Sequence, residues 1–426
     1  MTPGTKAALV MITALLLSVA ALFIVLYQGS GEDAETRLSA LQKEGRLSSA
    51  ETLLPTPPGT DAYSVPAATP APAGSPEEPE KGTRGFILTA AGAVSAPRAI
   101  REAARGRSAF DFSTAFLGFG ASLKEADLAL CTLETLTDDG QPYDAANAPE
   151  SLLDAMKTAG FTLVSLATEH LLDKGYEGLD VTRAGLMSRG MESVGVRDKG
   201  EYPGTILRLA GVNAAVLGYT YGLDEAGTGA TRGDERGAAP LRTEEEICRD
   251  IVKVRSEGAE AVILLLHWGV KNRADPPESI RALARRLAEA GADVILGAHP
   301  GVVQPCELLT VKRADGRVCE AFVCYSLGCL LSDARSEEGA AGAVLRIPVE
   351  YDQDLRLLHF GRVAAVPTYM ARQEEEGRTV WRLEEADSES ALSALTAGQK
   401  EAAYRAAARI RSVFSDGAEA GGQTEP

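Results

Sequence analysis

The sequence predicts a layered α/β fold built on mixed sheets, with a transmembrane helix ahead of it. Three observations carry this. Continuous apolar runs such as Ala261–Leu266 and Asp293–Leu296 alternate with helical segments. Strands that are apolar throughout belong to sheets covered on both faces. Hairpin signals around Ala210-Gly211 and Ala314-Asp315-Gly316 add antiparallel neighbours. Finally, the run from Ala7 to Tyr27 carries no charge. At about 1.5 Å rise per residue such a run crosses a hydrocarbon core roughly 30 Å thick.

Taken in chain order, residues 1–6 form a short stub whose one cation is Lys6, and the first charges past the apolar run are Glu32 and Asp33. The positive-inside rule then puts the stub in the cytoplasm and everything past residue 27 outside. A cleaved signal peptide with its site near Ser18-Val19-Ala20 is the rival reading. The apolar stretch continues past Ala20, longer than such peptides need. Residues 28–84 read as a stalk followed by a Pro-, Ala-, Thr- and Ser-rich extended tether.

The folded domain is expected over 85–370. Strands are expected at Phe86–Ala90, Leu128–Leu133 and Phe161–Leu166, with helices at Ala99–Ala104, Glu150–Ala159 (closed by Gly160) and Gly178–Ser188. A hairpin joins Ile206–Leu209 to Ala214–Tyr219. Thr243 caps an acidic first turn of a helix running to Ser256. Then follow strand Ala261–Leu266, helix Ser279–Ala290, strand Asp293–Leu296, and a hairpin of Glu307–Val311 with Arg317–Tyr325. Residues 371–414 are expected as a largely helical extension, and 415–426 as a disordered tail.

Composition narrows the partner. The chain has 426 residues, 43 Lys plus Arg against 60 Asp plus Glu, and a formal net charge of -17. No basic run exists, so nucleic acid is excluded as a partner class. The six cysteines form no C-x-x-C pair, which removes structural zinc-ribbon spacing. Cys131, Cys324 and Cys329 lie in apolar contexts and read as small core residues, although an exported domain could oxidise some of the six. Gly118-Phe119-Gly120 lacks both a third glycine and a preceding strand, so it marks no dinucleotide site. The chain has no Walker motif and no G-x-S-x-G.

In layered α/β proteins the polar residues just past an apolar strand line the site. Four places qualify: Glu134, Thr168-Glu169-His170, His267-Trp268 and His299. Ser326 follows a fifth strand. The chain has four histidines, and three of them fall at these strand ends. Imidazoles and carboxylates converging at one sheet edge are donors for a divalent cation. Separate local hydrogen bonding of each histidine is the bland alternative.

An ordered set of motifs then resembles the CapA family of poly-gamma-glutamate capsule biosynthesis proteins. It comprises Ala126–Glu134, Pro149-Glu150, Ala159-Gly160-Phe161, Ser165–Ala167 with Glu169-His170, Asp173-Lys174-Gly175, Leu266–Gly269, Ala290–Ile295, Gly297–Pro300, Val303–Pro305 and Tyr325–Gly328. The resemblance covers about Phe86 to Pro367. It implies a calcineurin-like metallophosphoesterase-type sandwich of mixed sheets flanked by helices.

Departures from the family pattern are concentrated. Gly-Asp after the first strand is Gly92-Ala93. Asn-Leu-Glu is Thr132-Leu133-Glu134, and Asn-Asn-His is Thr168-Glu169-His170. His-Pro-His is His299-Pro300-Gly301, and Ser-Leu-Gly-Asn-Phe is Ser326-Leu327-Gly328-Cys329-Leu330. Carried over, the two-metal pattern loses one cation's ligands at Ala93 and Gly301. It keeps Glu134, Glu169, His267 and His299 for the other, with His170 as general acid. Thr168, Trp268 and Ser326 would line the site. The resemblance thus implies at most one divalent cation (Mn, Fe or Zn), or none. Should Glu134 and Glu169 face each other without a cation, one carboxyl is expected to be raised.

By resemblance the role lies in synthesis, export or attachment of a cell-surface polymer such as polyglutamate, beside membrane synthase or export subunits. Two classes stand: a mononuclear metal-dependent hydrolase or transferase, and a degenerate polymer-binding scaffold. Cell-wall sensing through the tether is a third. The net charge of -17 disfavours a polyanion unless a basic groove or bridging cation receives it.

Overall fold

The computed structural model describes residues 83–418 apart from 118, 198–201, 223–242, 335, 387 and 390. The expected stub, anchor and most of the tether, Gly118 of the glycine-rich stretch, and residues 419–426 of the tail lie outside the described residues. Among the described residues no helix is long and apolar enough to cross a membrane.

The first half of the chain lays down β1 (Thr83–Ala91), β2 (Ala93–Val94), α1 (Arg98–Ala104), α2 (Ala121–Lys124), β3 (Leu128–Thr132), β4 (Leu136–Thr137), β5 (Asn147–Ala148), α3 (Ser151–Ala159), β6 (Leu163–Ser165), α4 (Gly175–Ser188) and β7 (Glu192–Val194). Gly160, at φ 120°, closes α3 in a conformation that side chains with a Cβ avoid. The middle holds β8 (Gly204–Leu209), β9 (Val212–Thr220), α5 (Glu244–Ser256), β10 (Ala261–His267), α6 (Glu278–Ala290) and β11 (Val294–Ala298). The expected hairpin forms, but with a tighter turn: Ala210 and Gly211 both take positive φ, and Val212 and Asn213, expected in the connection, already belong to β9. Thr243 caps α5 through a reciprocal capping box with Glu246. The last part forms β12 (Cys306–Lys312), β13 (Val318–Cys324), β14 (Cys329–Leu331), β15 (Ala341–Asp352), β16 (Leu357–Phe360), β17 (Ala364–Glu375), β18 (Arg378–Glu385) and α7 (Ala397–Ala418).

Beside the separate two-stranded pairs β14–β2 and β4–β5, fourteen of these strands make two mixed sheets. One has the order β18-β17-β15-β1-β3-β6-β7, with β16 also on β15, and the other β12-β13-β11-β10-β9-β8. Period-two alternation stacks them. Phe86, Leu88 and Ala90 of β1 share one buried cluster with Ala261, Ile263 and Leu265 of β10 and with Ala343, Leu345 and Ile347 of β15. The intervening residues of β10, Val262, Leu264 and Leu266, face a second cluster with Ile247 and Ile251 of α5 and Leu283 and Leu287 of α6. Helices α3 and α4 cover the far side of the first sheet with Leu152, Met156, Leu179 and Leu186. The expected sandwich of mixed sheets flanked by helices is therefore the observed arrangement.

The extension expected to be largely helical from residue 371 begins instead as sheet. The boundary at 370 falls inside β17, and β18 pairs back on it around Glu376-Gly377, both at positive φ. Met370, Trp381 and Leu383 point into the core beneath the helices. A two-residue turn outweighs the helix propensity of Gln373–Glu376 because its strands bury apolar side chains every second residue. Helix α7 runs to Ala418, into the stretch expected as a disordered tail, and buries Ala406, Ile410 and Phe414.

One glycine sets how closely the site layers approach. A Cβ on Gly297 in β11 would meet the Tyr325 carbonyl at 1.9 Å and Trp268 Nε1 at 2.4 Å. Gly297→Ala is therefore expected to cost about 3 kcal/mol. Gly398→Ala, in α7 with nothing within 4 Å, should be neutral or stabilising by up to about 1 kcal/mol. Urea unfolding of the two variants against wild type checks both signs.

Candidate metal centre

Three strand ends and one turn build the site. Glu134 follows β3, and its N–H donates to the Val94 carbonyl at 2.9 Å. After β6 the chain makes a turn in which Thr168 Oγ1 accepts the His170 N–H at 3.2 Å, presenting Glu169 and His170 side by side. His267 ends β10 and lies opposite Ala298 of the parallel β11, which brings His299 to the next position. His299 holds φ at 95°, a strained value for a residue with a side chain. Its ring stands edge-on to His267, centroids 5.0 Å apart.

Glu169 gathers these groups. Its Oε2 accepts from His267 Nδ1 at 2.8 Å and from His299 Nδ1 at 3.2 Å. Its Oε1 pairs with Lys271 Nζ at 2.9 Å and stands 3.7 Å from His170 Nε2. Glu134 Oε1 reaches the other nitrogen of His267, Nε2, at 3.3 Å. The expected four donors thus divide. Glu169, His267 and His299 place ligand atoms within 4.8 Å of one another, while Glu134 backs His267 from the far side.

The electrostatics follow from this geometry. Burial opposes the charged form of Glu169, yet hydrogen bonds from His267, His299 and Lys271 hold its carboxyl far below the usual carboxylate range. Burial also opposes a charged His267, but Glu134 and Glu169 on its two nitrogens raise it to about 9. Glu134 and Glu169 do not face each other, because His267 stands between the two acids. The raised carboxyl expected of such a pair is not found at Glu169, which is held low.

One carboxylate and two imidazoles form a donor set suited to Mn, Fe or Zn. A carboxylate on the second nitrogen of a ligating histidine is the usual outer support of such a set, and Glu134 stands in that place. The residues present therefore fit one divalent cation. They do not fit two, since Ala93 and Gly301 offer no side-chain donor where the resemblance puts the second cation's ligands.

His170 is oriented by Asp173. Its Nδ1 bonds Asp173 Oδ2 at 2.7 Å, leaving Nε2 toward the site. The hydrogen bond to Asp173 raises its pKa, against the opposing effect of burial. The other three expected residues support rather than line. Thr168 is buried and shapes the turn. Trp268 packs in the helix-side cluster and donates Nε1–H to the Tyr325 carbonyl at 3.0 Å. Ser326 is fully buried, with Oγ accepting the Gly328 N–H at 3.1 Å. Sequence reasoning missed two contributors, Lys271 and Asp173. Each sits three or four residues past a recognised histidine, in the same strand-end loop.

A raised histidine stabilises the folded chain at pH values below the unfolded pKa, about 6.5. That stability fades as the pH rises through the folded value. His170 is faced by Asp173, Glu169 and Glu134. Asp173→Asn should therefore lower stability by about 1 kcal/mol at acidic pH. The difference should vanish at alkaline pH, as read from Tm profiles of the two proteins from pH 5 to 9.

A family described as Bacterial capsule synthesis protein PGA_cap matches residues 87–334. The Capsule biosynthesis protein CapA of Bacillus anthracis is 28% identical over 224 residues, 50% of this chain and 52% of that one. The PGA biosynthesis protein CapA of Bacillus subtilis is 30% identical over 186 residues, 42% of this chain and 44% of that one. The chain thus spans about half the length of the curated relatives it matches. Among solved structures, the calcineurin-like phosphoesterase YfkN from Bacillus subtilis aligns with 78% of this chain and 98% of its own, at 12% identity and a TM-score of 0.38. The family match runs from within β1 past β14 and includes Glu134, Glu169, His267 and His299, and the chain belongs to the bacterial capsule synthesis protein family.

Proposed function

We propose that this chain is a membrane-anchored protein of cell-surface polymer synthesis, export or attachment whose folded domain works outside the membrane on a polyglutamate-like polymer. The anchor is the uncharged run Ala7–Tyr27. Membrane synthase or export subunits are its expected neighbours, and nucleic acid is not.

The observation that carries an enzymatic reading is the convergence of Glu169, His267 and His299 on one point. A divalent cation held there would supply Lewis-acid polarisation of a phosphoester or amide oxygen and a bridge to a polyanionic chain. The residues of the chain do the rest. Glu169 and Glu134 hold His267 in one orientation from both sides. Asp173 fixes the ring of His170 and keeps a proton on it. His170 Nε2–H is then placed to protonate a leaving oxygen or nitrogen.

A second reading has its own observation. Lys271 already pairs with Glu169, and the second cation's positions are Ala93 and Gly301. A site charge-balanced by its own ammonium suits a polymer-binding scaffold that performs no chemistry.

Elemental analysis of the full chain after loading with Mn, Fe or Zn separates the two. About one equivalent of cation, lost in the His267→Ala, His299→Ala double variant, is the expected result. No cation under any loading condition would sink the enzymatic reading in favour of the scaffold. For an active protein, His170→Gln should keep the cation while lowering turnover of an amide or phosphoester reporter at least about 100-fold.

A further inference from the structure

Cys306 opens β12 and Cys324 closes β13, and the antiparallel register sets them directly opposite each other. The Tyr325 N–H donates to the Pro305 carbonyl at 3.1 Å, immediately outside this rung. A bond between the flanking residues, not between the paired residues themselves, marks 306 and 324 as a non-hydrogen-bonded pair. At such rungs the Cα atoms lie about 4.5 Å apart and the side chains lean together. A disulfide needs Cα atoms about 4.4–6.8 Å apart. Both side chains point into the cluster between the sheets, where burial, with the neighbouring Cys324 thiol, raises Cys306 well above the ordinary thiol range. Among the described residues no other strand register places two cysteines opposite one another. Cys131 faces Val164, Cys319 faces Val311 and Cys329 faces Ala93.

We infer that Cys306 and Cys324 are a disulfide pair, closed by a disulfide-bearing oxidant while the hairpin is still open. One cysteine thiolate attacks a sulfur of the oxidant, forming a mixed disulfide and releasing one oxidant thiolate. The second cysteine thiolate then attacks the protein-side sulfur of that mixed disulfide and expels the other. The S–S bond of the oxidant is broken and the Cys306–Cys324 bond is made. Two electrons pass to the oxidant, and the two cysteine protons end on its released thiols. Cys306 is nearly buried and Cys324 fully so, which shields the finished bond from exchange.

The bond falls where it serves the site. β12 is the edge strand of its sheet. The segment from His299 to Pro305 links the metal centre to Cys306, and Tyr325-Ser326 leave β13 just past Cys324. Closing the pair ties both exits of the hairpin together beside His299.

The test uses the full chain, reduced and unfolded, then refolded in a mixture of oxidised and reduced glutathione and quenched with N-ethylmaleimide. Peptide mass spectrometry without reductant should find one cross-linked species, two hydrogens lighter than its parts, with fragmentation placing the bond at Cys306 and Cys324. The remaining four cysteines should carry the maleimide. The oxidised chain should melt about 5 °C above the reduced one, and the Cys306→Ala, Cys324→Ala double variant should show no such gain. Maleimide on both Cys306 and Cys324, or a bond from either to another cysteine, would overturn the assignment. This readout is on the wild-type chain and does not depend on any variant folding.

Discussion

The constraint on which the structure rests is that β10 and β11 must be apolar on both faces. Each residue of β10 before His267 is buried, odd positions between the sheets and even positions under α5 and α6. A polar side chain within such a strand would leave a buried group unpaired at a cost of a few kcal/mol. Polar chemistry is therefore pushed to the ends, and in parallel neighbours the ends coincide. His267 lies beside Ala298, so His299 arrives one residue later at the same edge. The fold does not simply carry the site; its burial requirement fixes where the site lies.

Glu169 then solves the problem that this crowding creates. A carboxylate mostly out of water is costly unless its lone pairs and charge are met. Here the compensation comes from two other loops: His267 and Lys271 after β10, and His299 after β11. The same contacts that hold the acid ionised bind three loops to one another. His299 joins that cross-link from a positive-φ backbone, a costly conformation for a residue with a side chain.

Much of this was legible in the sequence, for physical reasons. Continuous apolar runs identified the central strands, glycines marked the helix ends, and Thr243 with an acidic turn marked the start of α5. Strand-end histidines located the site because such positions are the only outlets for polarity. Other parts were opaque. β15, which pairs along the whole length of β1, was not singled out, although its alternation is regular. The β17–β18 hairpin hides in a stretch rich in Glu and Arg, where the Glu376-Gly377 turn is a weaker signal than Asn-Gly. Trp268 stood next to a site histidine in sequence. A strand turns adjacent side chains to opposite faces, so the indole went to the core. Glu134 met His267 through the far nitrogen, a detail that no spacing encodes.

The departures from the family pattern acquire a meaning in three dimensions that they lack along the chain. Ala93 of β2 pairs directly with Cys329 of β14. A Cβ on Gly301 would come within 3.9 Å of Cys329 Sγ, and that thiol donates to the Gly301 carbonyl at 3.6 Å. Three positions far apart in sequence therefore converge on one spot, presenting a methyl, a hydrogen and a thiol where the resemblance implies an acid, an imidazole and an amide. Burial pushes that thiol up to about 12, so it adds no charge. Meanwhile Glu169, His267 and His299 remain in contact, with a carboxylate where the resemblance implies a neutral Asn. One half of the cluster thus offers no ionised side chain, and the other offers three donors within 4.8 Å of one another.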